Sequence, residues 1–477
     1  MKDYSILPRT LFCAFAVAAN FTANAGRPFE AEATAEDGSG LERTISASEF
    51  EKLVEDVVRA DGKLSDFENR ESFFAVNFAG VKEAFTLRWS REEPEPRPDP
   101  PVVQKPPPDP PPSKGGGKGP RSSSAVRFPA RHNRGGASEP HGPLTEAVLE
   151  MRSTGFRKTF TGKNREEIEE QILEFLEGDG KDEFEKLLQE LNKESKIAPL
   201  DGNPNAATAR AAAATYSEFG QISEENAQGN ADGVSIGAEV GRFAAGEFEG
   251  DAYALPLAYT KKVNTKVSVV ITVPLSYIEI EGAEIYNVNV GVSVPIRFRQ
   301  SSPAVRDLPS DGKEVKATVD SSPTERWTWQ VTPTVGAIDS HSEQFDTGAL
   351  MTQASLTNLV AYTFDRFTVS MGNHVSWLEG QGAGRHDDLT TVDVSQVLLK
   401  NGLQVRVPLG DRWSVSAYGI YTRFMQDAGV TDYVTIGGDI GYRPVATSQA
   451  FLRLGIYSDL GSDYETATVR LGSSWKF

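Results

Sequence analysis

The chain has 477 residues, of which 39% are hydrophobic and 24% are charged, so it is long enough for two or three domains and is not disordered as a whole. Its net charge of −18 argues against nucleic acid as a partner, because phosphate backbones are bound by clustered Lys and Arg. The mean hydropathy of −0.38 excludes a bundle of apolar membrane helices, but not a β-barrel, whose strands alternate lipid-facing and lumen-facing residues.

Residues 1–25 have the pattern of a secretory signal peptide. A charged start precedes an apolar run over 11–19, and Ala23–Ala25 forms a small-residue cleavage site. The run is shorter than the roughly 20 residues that span a bilayer, so we expect cleavage rather than anchoring. Cys13 is the only cysteine and lies inside this segment, so the mature chain is predicted to contain no disulfide.

Residues 26–90 predict a small α+β module. Ser46 or Ser48 is the expected N-cap of a helix whose apolar positions over 50–58 share one face. Alternating residues over 73–89 predict a hairpin after it. We expect a packing module, with a binding or anchoring face as the alternative.

Residues 91–142 predict a linker. Between positions 94 and 112, 11 of 19 residues are proline, and runs of Gly and Ser follow. Such a composition cannot bury apolar surface and favours extended polyproline II, in which 19 residues reach about 60 Å. We expect a spacer, and a proline-rich ligand for an aromatic groove is the alternative.

Residues 143–200 predict a pair of helices. Asn164 is the expected N-cap of the first helix, with Glu167 three residues further on. Gly178 and Gly180 separate the two helices. The acidic residues around them do not match a calcium-binding loop, which has a glycine at its position 6 and a carboxylate ligand at its position 1. When either of these glycines is placed at position 6, the residue at position 1 is not a carboxylate.

Residues 201–232 contain an alanine-rich helix, predicted over 206–219. Few of its side chains are bulky. A slim helix that directly precedes a barrel is suited to lie inside the barrel as a pore helix.

From residue 233 to 477 the hydrophobic period changes to two, which predicts strands. Many of these strands have 10–15 residues, whereas a usual strand has about 5–6 and a tilted membrane strand about 9–11. We therefore predict a mainly β fold with an antiparallel transmembrane β-barrel of about twelve strands, and a soluble jelly roll is the alternative. The predicted strands are 233–242, 251–260, 264–277, 285–298, 325–338, 349–364, 366–378, 390–408, 412–425, 429–443, 449–458 and 463–477.

The predicted connections alternate in length. Short turns fall at every second junction and longer connections at the others, which is the pattern of short periplasmic turns and longer outer loops, with both barrel termini on the periplasmic side. The stretch 299–324 departs from the pattern, because it should be a short turn and has 26 residues. An inserted loop or a miscounted strand would explain it.

The last strand ends in an aromatic residue preceded by alternating apolar positions. This resembles the signal by which the barrel-assembly machinery recognises outer-membrane barrels, so that machinery and outer-membrane lipid are expected partners. The residues of the expected signal are Phe477, Trp475, Leu471 and Val469.

The order of signal peptide, exported region, linker, pore helix and terminal barrel resembles the autotransporter family over about 206–477. The resemblance implies a translocator domain that anchors its own N-terminal region in the outer membrane of a Gram-negative cell and exports a polypeptide. Autotransporter passengers are typically long and repetitive, whereas residues 26–200 are short and partly helical. The alternative is an outer-membrane channel or export pore for a solute or polypeptide, with a periplasmic N-terminal module that gates it or contacts the cell wall.

Two motifs resemble catalytic motifs. Gly233–Gly237 matches the G-x-S-x-G elbow, but it lies in an expected strand with no helix after it. His374 and Ser376 share one strand face and could pair as base and nucleophile, but the predicted register places both in the lumen. We therefore expect no enzyme activity, no metal and no cofactor.

Charged residues on the predicted polar faces are candidates for lining the pore, where they would set its electrostatics or hold a plug helix. They are Glu239, Lys266, Arg297, Arg326, Arg406, Asp439, Arg453 and Arg470.

Overall fold

A computed structural model describes residues 28–47, 49–91, 143–216, 232–299, 326–380, 390–392, 394–410, 412–426, 428–444 and 450–476. The predicted signal peptide, nearly all of the predicted linker, the long 299–324 stretch apart from Arg299, and Phe477 lie outside these residues, and the predictions about them stay predictions.

The N-terminal region forms one antiparallel sheet of six strands in the order β2-β1-β3-β4-β5-β6, with helices on one face. Its core is made of apolar residues that alternate along the strands and recur on the helices, so each element buries one face. We call residues 28–91 and 143–200 the cap domain. Its elements are β1 (Phe29–Ala35), β2 (Glu42–Ala47), α1 (Phe50–Arg59), a 3-10 helix (Gly62–Phe67), β3 (Ser72–Phe78), β4 (Val81–Ser90), β5 (Glu146–Met151), β6 (Phe156–Thr161), α2 (Arg165–Glu177) and α3 (Lys181–Glu194).

The cap domain differs from the two separate segments that we predicted on either side of a spacer. Strand β4 pairs with β5, and Ser90 lies opposite Glu146. Residues 92–142 therefore leave and re-enter the same sheet at neighbouring positions and do not separate two domains. Composition predicts a linker, but it carries no information about where the ends of that linker meet.

The helix caps of this domain were predicted with mixed success. The Asn164 side chain accepts a hydrogen bond from the Glu167 N–H at 3.0 Å, which confirms the N-cap of α2. The prediction for α1 was wrong, because the helix begins after Glu49, whose side chain makes no capping bond, and Ser46 lies in β2.

The C-terminal region forms the predicted barrel of twelve antiparallel strands. The last strand pairs with the first from Lys476↔Gly233 to Tyr464↔Ala245, which closes the barrel. Its strands are β7 (Gly233–Ala245), β8 (Phe248–Leu255 and Leu257–Lys262), β9 (Ser268–Thr272 and Leu275–Ile280), β10 (Ala283–Ser293 and Ile296–Arg299), β11 (Trp327–Ser342), β12 (Thr347–Thr363), β13 (Thr368–Gly380), β14 (Ser395–Leu409), β15 (Trp413–Phe424), β16 (Asp432–Tyr442), β17 (Ala450–Gly461) and β18 (Tyr464–Lys476). A two-residue strand, Thr390–Thr391, pairs beside β12.

Three consecutive barrel strands are interrupted by proline. Pro256, Pro274 and Pro295 divide β8, β9 and β10 in turn, because proline has no N–H for the ladder. Their carbonyl groups still accept hydrogen bonds from the neighbouring strand, for example from the Gly237 N–H at 2.9 Å. The barrel wall is thereby kept continuous.

The polarity of the barrel is the reverse of a soluble protein. Inward-facing residues are polar and buried, such as Thr332 and Gln353, while outward-facing residues are apolar and exposed, such as Val335 (63%) and Ile456 (65%). A water-soluble jelly roll would bury its apolar face, so that alternative is excluded. Among the described helices, none is long and apolar enough to cross a bilayer.

We call the end of the barrel that carries Gly233 and Lys476 the proximal end, and the opposite end the distal end. Exposed aromatic residues surround the proximal end, as expected of an interfacial girdle, and include contacts such as Trp413 with Tyr442 at 4.4 Å. In the last strand Val469 and Trp475 face outward, as the alternation predicted.

The predicted difference in loop length is wrong for most of the distal end. Four distal connections, 246–247, 281–282, 343–346 and 462–463, are tight turns. At the distal end the inward positions of the strands are apolar, so the alternation of polar and apolar residues by which we located the strands stops there. The strands themselves continue past the predicted ends. We call these residues the apolar collar, and its members include Ile278, Ile280, Ile338, Met351, Leu378 and Leu398.

Candidate functional site: the barrel lumen and its distal mouth

A helix occupies part of the lumen. Helix α4 (Ala207–Tyr216) begins one residue after the predicted start and contacts the inner faces of β10 to β14. The predicted end of the helix, over 217–219, lies outside the described residues. Ala209 and Ala212 are fully buried. Small side chains let the helix approach the wall closely, which confirms the expectation of a slim helix inside the barrel.

The middle of α4 is held by an ion pair with the wall. Arg210 lies 3.8 Å from the carboxylate of Glu239 on β7, and it also donates to the Asn205 side chain at 2.6 Å. The Tyr457 hydroxyl donates to Glu239 at 3.2 Å. In a partly buried charge pair of this kind, losing one partner leaves an uncompensated charge on the other.

A second charged cluster lies in the wall itself. Asp439 accepts hydrogen bonds from Arg453 at 2.9 Å and from Arg470 at 3.0 Å, and the Ser416 hydroxyl donates to it at 3.3 Å. These groups join β15, β16, β17 and β18. Two guanidinium groups therefore share one carboxylate.

The structure places the eight predicted pore-lining residues in two groups. Two of them do not line the pore: Lys266 is exposed in the proximal turn between β8 and β9, and Arg326 pairs with Asp365 of another proximal turn at 3.0 Å. Both sit where a strand ends, so the alternation of faces no longer applies to them. The residues on the lumen side are Glu239, Arg297, Arg406, Asp439, Arg453 and Arg470.

The two motifs that resemble catalytic motifs are parts of the barrel wall. His374 and Ser376 are both buried on the lumen side, as predicted. The His374 ring Nδ1 lies 2.8 Å from the Thr357 hydroxyl, whereas Ser376 accepts from the Gln353 amide at 2.9 Å. Residues 233–237 are continuous strand. The described residues contain no cluster of His, Cys, Asp and Glu that could hold a metal ion.

Sequence reasoning missed a buried carboxylate at the distal mouth. Asp201 accepts from the Thr208 hydroxyl of α4 at 2.8 Å and from the Gln396 amide of β14 at 2.9 Å. It thereby joins the start of the lumen helix to the barrel wall. Nothing in the sequence marks this residue, because its partners are seven and 195 positions away.

The cap domain is seated on the distal mouth through an aromatic cluster. Phe345, in the turn between β11 and β12, is fully buried, and its ring lies 5.2 Å from Phe29 and 5.9 Å from Phe78. The Phe50 N–H donates to the Gln344 carbonyl at 3.0 Å. The hydrophobic core of the cap domain is continuous with the apolar collar.

Other distal turns also contact the cap domain or the segment that follows it. Lys196 pairs with Asp463 at 2.9 Å, and the Val430 N–H donates to the Gly202 carbonyl at 2.7 Å. Gly80, at φ +86°, leaves no room for a side chain beside Phe248, since a Cβ would lie 2.9 Å from its ring. The mouth is therefore covered from several sides.

Comparisons with known proteins agree with the barrel architecture and go no further. No family model and no curated protein matches the chain. Solved structures do: the translocator domain of the autotransporter NalP from Neisseria meningitidis is 12% identical, with a TM-score of 0.37, over 57% of this chain and 99% of its own. The transport unit of the autotransporter AIDA-I from Escherichia coli is 9% identical (TM-score 0.34; 55% and 99%).

An outer-membrane channel from Pseudomonas putida F1 is also among the similar structures, at 9% identity and a TM-score of 0.36, over 52% of this chain and 96% of its own. Matches of this size do not distinguish a translocator from a channel. The closed wall and its apolar outer surface support a more general statement than either of these two functions. The chain is a membrane-spanning β-barrel.

Proposed function

We propose that the protein is an autotransporter-like translocator that anchors its own N-terminal region, the cap domain, on the outer face of the outer membrane. One observation carries the proposal. The chain passes from the cap domain at the distal mouth into the lumen as α4, and the barrel wall then begins with Gly233 at the proximal end.

The direction follows from the barrel termini. Outer-membrane barrels have both termini on the periplasmic side, so we infer that the proximal end faces the periplasm and the distal end faces outward. A chain that enters the lumen distally and joins the wall proximally then has its N-terminal region outside the cell.

The alternative that we drew from the sequence is a channel whose N-terminal module sits in the periplasm. It would require the distal end to face the periplasm, with both barrel termini outside. The aromatic girdle at the proximal end and the helix in the lumen are compatible with either direction, so the alternative is decided by experiment.

An epitope in the exposed turn between β1 and β2, at Gly38, tests the proposal. Protease added to intact cells should remove this epitope. A second epitope at Asn264, in a proximal turn, should survive until the outer membrane is permeabilised. Full protection of the Gly38 epitope on intact cells, with cleavage of the Asn264 epitope there, would support the channel with a periplasmic module instead.

We further propose that the protein acts without catalysis or a cofactor, since His374 and Ser376 bond to other partners than each other. Its partners would be outer-membrane lipid, the assembly machinery and the exported polypeptide. Removal of Phe477 is expected to reduce the fraction of chains that reach the heat-modifiable, folded barrel form on gels.

A further inference from the structure

The apolar collar is unusual for a barrel lumen. The lumen is otherwise lined by polar groups, yet at the distal end side chains such as Ile280, Met351 and Leu378 point inward and are buried. An open lumen would expose them to water, which is unfavourable in proportion to the apolar area. They belong to the same hydrophobic cluster as the core of the cap domain, so the cap domain is what covers them.

The cap domain in turn depends on the barrel for part of its core. Phe345 belongs to the barrel, yet it contacts Phe29 and Phe78 inside the aromatic core of the cap domain. Phe50 packs against the same Phe29 and Phe78 at 5.4 and 4.9 Å. Without the barrel turn, this core would have an open side.

The barrel also supplies a helix cap. The first N–H groups of a helix have no partner within the helix, and Glu49 offers no side-chain cap to α1. The Phe50 N–H is satisfied instead by the Gln344 carbonyl of the barrel turn at 3.0 Å. The start of α1 is therefore completed by a residue that is nearly 300 positions later in the chain.

We propose that the distal rim of the barrel is a folding template for the cap domain, so that the cap domain reaches its stable structure only on an assembled barrel. The order of events is then barrel first and cap domain second. The proposal concerns contacts within one chain and does not depend on which side of the membrane the distal end faces.

The first experiment compares purified full-length variants by hydrogen exchange. Phe345→Ala removes the rim contact, and Phe364→Ala, at an exposed aromatic of a proximal turn, is the matched control. With the barrel still heat-modifiable on gels, Phe345→Ala should speed exchange in β3 at least tenfold and leave β15 unchanged, while Phe364→Ala should change neither. Exchange in β3 within twofold of the parent protein would overturn the proposal.

The second experiment uses the unaltered protein and so does not depend on a variant that folds. Full-length chain is refolded from urea into lipid vesicles, and both the folded barrel band and exchange protection of β3 are followed in time. Protection of β3 should appear with the barrel band or after it. Protection of β3 in chains that still lack the barrel band would overturn the proposal, and failure of the Gly38 epitope test would not.

Discussion

At the scale of single residues, Arg165 joins the two sequence segments of the cap domain. Its guanidinium donates to the carbonyl groups of Val58, Phe67 and Glu68 at 3.0–3.1 Å and lies 4.2 Å from the ring centre of Trp89. The side chain is almost fully buried. Since these partners come from before residue 92 and Arg165 from after 142, this residue fixes one segment on the other.

Arg165→Ala should destabilise the cap domain by about 2–4 kcal/mol, because two buried carbonyl groups and one part-buried carbonyl group lose a charged donor. The free energy of opening, measured by hydrogen exchange of the 3-10 helix in the full-length protein, checks this value. Arg43→Ala is the control: Arg43 pairs with Asp66 at 2.6 Å on the exposed surface, and its loss should cost less than about 1 kcal/mol. Equal effects of the two variants would contradict the role of Arg165.

Asp201 makes the distal mouth sensitive to pH. It lies at the mouth before α4, and burial raises the pKa of its carboxyl from 3.8 to about 6, partly offset by hydrogen bonds from Thr208 and Gln396. A carboxyl whose pKa is raised on folding is stabilising in its protonated form. That contribution is complete below the unfolded pKa and is lost as the pH rises through 6.

The α4 segment should therefore open more easily at pH 7 than at pH 4, by about 2 kcal/mol for this group. Asp201→Asn, which cannot ionise, should remove this dependence. The measurement is the ratio of exchange rates in 207–213 between parent protein and variant, taken at both pH values so that intrinsic exchange cancels. A ratio that does not change with pH would show that Asp201 does not titrate in this range.

At the scale of elements, α4 is the only described helix in contact with the lumen wall over five strands. In a chain that lacks the cap domain, and so lacks its seal on the distal mouth, further deletion of 206–219 should raise ion conductance in planar bilayers several-fold, because the helix fills lumen cross-section. Arg210→Gln is a milder companion variant, since it removes the ion pair with Glu239 but keeps the helix. Unchanged conductance after the deletion would mean that α4 does not limit the pore.

The elements also show which parts of the fold the sequence could reveal. The twelve barrel strands were predictable because inward and outward faces alternate locally along each strand. The distal ends were missed because the apolar collar makes both faces apolar there. The hairpin of β5 and β6 was missed for a different reason: its strands are short and rich in charged residues and Thr, and pairing with β4 across residues 92–142 places them in the sheet.

The same reasoning applies to the candidate site. Glu239, Asp439, Arg453 and Arg470 could be assigned to the lumen from strand parity alone. Their pairing with one another and with Arg210 could not, because it depends on the register of neighbouring strands and on where α4 enters. Asp201 acts where α4 enters the barrel, and Phe345 acts at the contact between cap domain and barrel; no local sequence pattern indicates either role.

At the scale of the whole molecule, the account rests on one topological relation: the cap domain and the barrel termini lie at opposite ends of the barrel. A cap domain that is displayed outside the cell and also covers the distal mouth would remain attached after export and would leave no open pore in the membrane. The tight distal turns fit this arrangement, since long loops at that end would obstruct the seat of the cap domain.

Single-cysteine labelling tests this relation most directly. Cys13 is the only cysteine and lies in the predicted signal peptide, so Lys63→Cys in the cap domain and Lys266→Cys in a proximal turn each provide one exposed thiol. On intact cells a membrane-impermeant maleimide should label Lys63→Cys and not Lys266→Cys, and both should react after permeabilisation. Labelling of Lys266→Cys with protection of Lys63→Cys on intact cells would contradict the account.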